Sequence, residues 1–149
     1  MTNGTTVRLD FRSAFDMLDF VQVVSDHVGR MAGLDEDSLH WVSVAVRESV
    51  INAIKHGNAN DEHKRVFVEF TPLDVDSPGI GIRVRVEGPG FDPSTLPDPL
   101  APENLLKASG RGIFLVRSFM VELRLQPAAE GGMEVVMVKR AGAATPPHA

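Results

Sequence analysis

The chain of 149 residues contains no cysteine, which excludes a disulfide framework and a thiolate-ligated metal site. It has no apolar run of 18 residues, so we expect no membrane span. The formal net charge is -5, whereas nucleic-acid binders usually carry basic patches, so we expect no direct contact with nucleic acid. The opening residues MTNGTTVRLD lack the basic-then-apolar order of a signal peptide. The cytoplasm is therefore the expected location.

What the chain does contain suits one domain, since 43% of its residues are hydrophobic and 23% are charged. Alternating and helical apolar spacings predict strands and helices in the order β-α-α-β-β-loop-α-β-β. The predicted helices before the loop cover residues 13–32 and 35–56, and the strands cover 5–11, 65–71, 80–87, 121–127 and 133–140. This order predicts an α+β fold with one mostly antiparallel sheet and helices on one face. We expect a single domain over residues 1–140 and a disordered tail over 141–149.

Residues 88–109 form a long segment without regular periodicity between the two predicted strand pairs. Five of the ten prolines lie in it. A loop of this length inside a compact domain is usually either functional or disordered. It ends at GRGIFLVRSFM, where two glycines precede an apolar run with helical spacing.

Three polar residues, Glu48, Asn52 and His56, follow one another at steps of four in the second predicted helix. This spacing places them along one stripe of the helix. Such a stripe is often only a solvated face, and His56 also suits a helix C-terminus because of the dipole. The functional interpretation is a carboxylate that orients or deprotonates a nucleophile beside an amide oxygen that holds a hard cation.

Two glycine pairs suggest places where a ligand approaches the backbone. Gly88-Pro89-Gly90 follows a predicted strand, and glycine allows close approach, although a plain turn explains the same residues. Ser109-Gly110-Arg111-Gly112-Ile113 precedes a predicted helix, whose free N–H groups favour phosphate. A loop–helix junction that needs small residues is the alternative.

The order of these motifs resembles the anti-sigma factor serine kinases, a branch of the GHKL ATPase superfamily. RESVINAIKHG matches the N-box, EGPGFDP the first glycine box and SGRGIFLVRSFM the second, and the likeness covers roughly residues 8–140. The resemblance implies the Bergerat fold, a mixed, mostly antiparallel sheet covered by helices on one face, with a long Pro-rich ATP lid. It also implies a kinase that phosphorylates a serine of an anti-anti-sigma partner of the STAS type and alternatively sequesters a sigma factor.

The resemblance assigns roles to individual residues. Glu48 matches the general base and Asn52 the magnesium-holding asparagine. The other matches are with glycines and a neighbour that shape the nucleotide pocket or meet the phosphates: Gly88, Gly90, Gly110, Gly112 and Ile113. On physical grounds we add Lys107 and Arg111 as phosphate partners, since phosphoryl transfer relies on charge stabilisation. Solvated loop charges explain these two residues equally well.

Two positions depart from the family pattern. The first glycine box begins with an aspartate that accepts a hydrogen bond from adenine, and here that position is Val86. Glu87 is acidic but one residue later, and a shift of one reverses the face of a strand, so we expect Glu87 to point away from the pocket. Met120-Val121 likewise replaces the family's Met-Asp. An adenine amino group without an acceptor costs about 1–3 kcal/mol, which predicts roughly tenfold to several-hundredfold weaker ATP binding.

Two hypotheses follow. The first is a working serine kinase that uses ATP and magnesium, supported by Glu48, Asn52 and both glycine pairs. The second is a binding module that keeps the fold and a partner surface but binds ATP weakly or not at all, supported by Val86. A sensor-histidine-kinase domain is less favoured because the lid resembles that of the serine kinases. Homodimerisation is a further expectation from the resemblance.

Overall fold

The computed structural model describes residues 4–74, 76–88 and 122–141. Within them the fold is α+β, with two long helices and five strands. The elements are β1 (Val7–Arg12), a 3₁₀ turn (Phe15–Met17), α1 (Leu18–Met31), α2 (Glu36–Asn52), a π turn (Ala53–Gly57), β2 (Arg65–Pro72), β3 (Gly79–Val86), β4 (Glu122–Pro127) and β5 (Met133–Arg140). The predicted lid, the helix after it and all but the first residue of the predicted tail lie outside the described residues.

Local sequence explains where α1 ends and where α2 begins. Helix α1 stops before Gly33, whose φ of 88° is the left-handed conformation that glycine adopts readily. Asp35 then caps α2, because its carboxylate accepts a hydrogen bond from the Ser38 backbone N–H at 2.8 Å. That backbone hydrogen bond holds the pKa of Asp35 below its ordinary value. The end of α1 and the start of α2 lie within one residue of the prediction, whereas α1 begins five residues later and α2 ends four residues earlier than predicted, where a 3₁₀ turn and a π turn stand instead.

The strands form one sheet in the order β1-β2-β3-β5-β4, and every described pairing is antiparallel. The parallel component that the resemblance implied is not found among these residues. The register of β3 and β5 places Val86 opposite Met133 and Val84 opposite Val135. The last strands of the chain therefore reach the end of β3, where the predicted glycine segment begins.

Side chains alternate between the two faces of the sheet. Val66, Val68 and Phe70 of β2 are buried on the face that α1 and α2 cover, and so are Ile82 and Val84 of β3. Burying one such side chain contributes about 1.5–3 kcal/mol, so this inner face forms the core. Charged residues occupy the opposite, outer face. The predicted layer of helices on one face of an antiparallel sheet is confirmed.

Candidate functional site

A small cavity lies between the C-terminal part of α2 and the ends of β3 and β5. Its volume is about 30 Å³, room for about one or two water molecules. Nine described residues line it: Ser49, Asn52, Ala53, Gly57, Val84, Val86, Met133, Glu134 and Val135. The cavity thus brings together two predicted site positions, Asn52 and Val86, which lie far apart in the sequence.

Asn52 lies in the last turn of α2 and lines the cavity. Its Oδ1 atom is buried and has no hydrogen-bond partner among the described residues. Among the described residues, two other buried side-chain oxygens also lack a hydrogen-bond partner. They belong to Ser13 and Ser25, which do not line the cavity. Buried polar atoms are normally paired, so an orphaned amide oxygen indicates a place for a missing partner. An amide oxygen suits magnesium, which takes oxygen ligands.

Glu48 lies one turn before Asn52 on the same helix and is half-buried. It is not among the described residues that line the cavity. Burial raises the pKa of its carboxyl above the ordinary 4.5, and the positive charges of Arg47 and Lys55 oppose this shift. A carboxylate whose pKa is raised toward neutrality is a better proton acceptor. His56, the third member of the stripe, is exposed.

Val86 provides an apolar wall where the family pattern has an aspartate. Its side chain is 3% exposed and packs against the π turn at Gly57. A Cβ at Gly57 would lie 2.8 Å from one methyl carbon of Val86 and 3.0 Å from the other. Gly57 was predicted just past the helix end; it is instead the last residue of the π turn, and Val86 occupies the space of the missing side chain. The side chain of Val86 offers no hydrogen-bond acceptor to a ligand.

Glu87 is not among the described residues that line the cavity, which agrees with the expectation that it points away from the pocket. It is exposed, and its Oε1 accepts a hydrogen bond from the Arg65 backbone N–H at 2.7 Å. The acid that follows Val86 therefore fixes the start of β2 and does not face the cavity.

Gly88 lies where the protein itself leaves no room for a side chain, and its assignment to the nucleotide pocket stays a prediction. Its φ is not positive, and a Cβ there would lie 2.5 Å from the Gly57 carbonyl oxygen and 2.8 Å from Asn58 Oδ1. The space next to its Cα is filled by the protein itself. Gly132, in the turn between β4 and β5, has a φ of 79°, and a Cβ there would collide with the Val86 carbonyl oxygen. Close packing of backbone segments thus explains both glycines.

The other predicted site residues lie outside the described residues: Gly90, Lys107, Gly110, Arg111, Gly112, Ile113 and Val121. Their assignments stay predictions. The same holds for the phosphate cradle and the lid to which they belong.

Sequence reasoning missed several residues of the cavity wall. Met133 and Val135 line it because β5 pairs with β3, a contact between segments about fifty residues apart. No local signal predicts that pairing. Ser49 was within reach of the helix period, because it lies directly after Glu48 and one turn before Ala53.

Comparison with known proteins identifies the family of the chain. The model of the histidine kinase-like ATPase domain matches residues 16–139. The chain therefore belongs to the histidine kinase-like ATPase domain family. It is 34% identical to the anti-sigma F factor of Oceanobacillus iheyensis over 108 residues, which cover 70% of each chain.

Two further relatives bear the name serine-protein kinase RsbW. The protein of Listeria monocytogenes is 25% identical over 118 residues, covering 75% of this chain and 72% of the relative. That of Staphylococcus aureus is 28% identical over 130 residues, covering 83% and 79%. Together these relatives place the chain in the anti-sigma factor kinase branch of the GHKL ATPases, which confirms the resemblance.

Proposed function

We propose that the protein is an anti-sigma-type serine kinase, which uses ATP and magnesium to phosphorylate a serine of an anti-anti-sigma partner. The observation that carries the proposal is the orphaned, buried Oδ1 of Asn52 on the cavity wall, one turn from the half-buried Glu48. A cation ligand and a proton acceptor on one helix face are the two groups that such a site needs from its helix.

The described residues fit magnesium better than they fit adenine. Asn52 has an unused oxygen for the cation, whereas Val86 has no acceptor for the adenine amino group. When bound, magnesium-ATP supplies the phosphoryl group and part of the charge stabilisation for its transfer. We therefore expect a site that binds magnesium-ATP, but more weakly than a site with an aspartate at position 86.

Glu48 has the role of proton acceptor in this proposal. Its carboxylate takes the proton of the attacking serine hydroxyl, and its raised pKa makes this transfer more favourable at neutral pH. Because the carboxylate must be ionised to accept a proton, the rate should fall as the pH falls through a pKa that lies above 4.5. Gly90, Gly110, Gly112 and Ile113 complete the pocket in this proposal, and Lys107 and Arg111 are the proposed phosphate partners.

The partners follow from the relatives. The names anti-sigma F factor and serine-protein kinase belong to those proteins, and we extend them to this chain. The proposal includes a STAS-type anti-anti-sigma protein as substrate, a sigma factor as a sequestered partner, a homodimer and a cytoplasmic location. Within the part of the chain that the structure describes, no helix has the length and apolarity needed to cross a membrane.

The test combines calorimetry with a transfer assay. Titration with magnesium-ATP measures the affinity, and labelled ATP with an anti-anti-sigma protein measures phosphotransfer to serine. The isosteric Glu48→Gln variant should transfer phosphate about 10²–10⁴-fold more slowly. Its affinity for magnesium-ATP should lie within roughly threefold of that of the wild type, because glutamine has the shape of glutamate and Asn52 is unchanged. Equal transfer by variant and wild type would remove Glu48 from this role. The absence of binding at millimolar ATP would refute the kinase.

A second candidate is a binding module that acts on its partner without ATP. The apolar wall at Val86 favours it. A sigma factor that binds with the same affinity in the presence and absence of magnesium-ATP, together with no phosphotransfer, would identify this case. A kinase of the proposed type should instead show phosphotransfer to the anti-anti-sigma protein that depends on Glu48.

A further inference from the structure

Asn58 joins the end of the α2 helix to the glycine segment after β3. It follows the π turn directly and is fully buried. Its burial is unexpected, because the sequence that begins with it, NANDEHK, has the composition of a polar turn. Its backbone N–H donates to the Ala53 carbonyl at 2.9 Å and closes the π turn. A π turn at the end of a helix often accompanies a functional site, so the side chain of Asn58 is of interest.

Both ends of the Asn58 amide are used. Its Oδ1 accepts a hydrogen bond from the Gly88 backbone N–H at 2.8 Å, in a buried contact. Its Nδ2 donates to the Arg65 carbonyl oxygen at 3.0 Å. One side chain thus binds the first residue of β2 and the first glycine after β3. An amide offers a donor and an acceptor together, whereas an ionised carboxylate of the same length only accepts.

The segments that Asn58 joins are also in tight contact. No room for a Cβ exists at Gly88, which lies against the carbonyl of Gly57 and Asn58 itself. Gly57 in turn packs against the Val86 side chain. A displacement of Gly88 therefore also displaces the π turn, because interfaces packed at this density transmit displacement.

We propose that Asn58 is a positioning residue for the nucleotide site: it holds Gly88 against the end of the helix that carries Glu48 and Asn52. This inference rests on the proposed function, because Gly88 is taken to form one side of the nucleotide pocket. Asn58 is not assigned a contact with the nucleotide. It fixes the distance between two segments that belong to the same site.

The test compares Asn58→Ala with Glu87→Ala. Glu87→Ala is the matched control, because it removes a hydrogen bond to the same residue, Arg65, but leaves the bond from Gly88 to Asn58 intact. Calorimetry with magnesium-ATP should show binding weakened about tenfold or more by Asn58→Ala, which corresponds to roughly 1.4 kcal/mol. Glu87→Ala should leave the affinity unchanged. Equal losses in both variants would overturn the proposal, because they would reflect general loosening at the start of β2.

A conservative variant separates positioning from stability. Asn58→Asp keeps an oxygen for the Gly88 N–H but places a second oxygen against the Arg65 carbonyl. Its melting temperature should be lower than that of the wild type. It should nevertheless bind magnesium-ATP more tightly than Asn58→Ala does. An Asp variant that folds and binds no better than the Ala variant would overturn the assigned contact with Gly88.

Amide hydrogen exchange decides the proposal without a nucleotide. In Asn58→Ala, the amides of residue 58 and Asn60, which close the end of the π turn, should exchange faster together with the amide of Gly88. Faster exchange at Gly88 alone would overturn the coupling. If the wild type binds no magnesium-ATP, the proposed function fails, and the exchange pattern alone then supports or overturns the positioning role.

Discussion

Val86 and Glu87 are neighbours in the chain but belong to opposite faces of the sheet. The face of Val86 is apolar. On this face Val86 packs against Gly57 and forms part of the wall of a small cavity. On the face of Glu87 the charged side chains pair with one another, and Arg83 lies at the centre with Glu69, Glu130 and Glu134 around it. The difference teaches that the position of an acid within a strand decides its role. At position 87 it fixes a strand end; one residue earlier it would face the cavity.

Moving an acid to the inner face should have the largest effect. Val86→Asp is expected to bind magnesium-ATP roughly tenfold to several-hundredfold more tightly, because it supplies the missing adenine acceptor. Without nucleotide the variant should be less stable than the wild type, since Val86 is 3% exposed and a buried carboxylate without a partner is unfavourable. Calorimetry and thermal unfolding measure the two effects.

The control for this variant is Val86→Asn, which has nearly the same shape without the charge. It should recover only part of the gain, because hydrogen bonds to a charged acceptor are the stronger ones. If Val86→Asp leaves both the affinity and the preference for adenine over guanine unchanged, Val86 does not occupy the position that the family pattern gives it.

Removing Arg83 from the charged outer face should reduce the free energy of unfolding by an intermediate amount. The Arg83 guanidinium binds Glu130 at 2.6 Å and Glu134 at 2.7 Å, and its side chain is 24% exposed. Removing a partner costs about 3–5 kcal/mol in a buried pair and 0–1 kcal/mol in an exposed one, so we expect about 1–3 kcal/mol for Arg83→Met. Arg8→Met is the control, because Arg8 is on the same face but 70% exposed, and its loss should be small.

The pH dependence identifies the cause of this loss. Hydrogen bonds from Arg83 lower the pKa of Glu130 to about 2 and also lower that of Glu134. A depressed carboxyl pKa stabilises the fold above its unfolded value of 4.5, and this contribution is lost as the pH falls toward 2. The stability difference between wild type and Arg83→Met should therefore shrink between pH 4.5 and 2. A difference that stays constant would mean that packing, not charge, explains the loss.

The sequence predicted the local features of this site and missed those that depend on distant contacts. The step of four places Glu48 and Asn52 on one stripe, and the alternation around Val86 and Glu87 predicts their opposite faces; the structure shows both. The partners of Arg83 and the wall of the cavity come from β5, whose pairing with β3 has no local signal.

The glycines show that a sequence can mark a close approach of the backbone without revealing which groups approach. The sequence marks Gly88 as a place of close backbone approach. It does not reveal that the approaching groups are Gly57 and Asn58, and that no ligand is needed to explain the glycine. Burial of Asn58 was also hidden, because its neighbours are polar and a turn of that composition is usually exposed.

The smallest effect is expected from Glu87→Gln, which tests the outer side of the comparison. The amide oxygen of Gln can still accept the Arg65 N–H, and the site is exposed, so stability should change by less than about 1 kcal/mol. The affinity for magnesium-ATP and the preference for adenine should not change, because the side chain faces away from the cavity. A selective loss of adenine binding in Glu87→Gln would show that the glutamate turns inward when the nucleotide binds. In that case Glu87 would supply the adenine acceptor that Val86 lacks, and its carboxylate would move from the outer face to the cavity when the nucleotide binds.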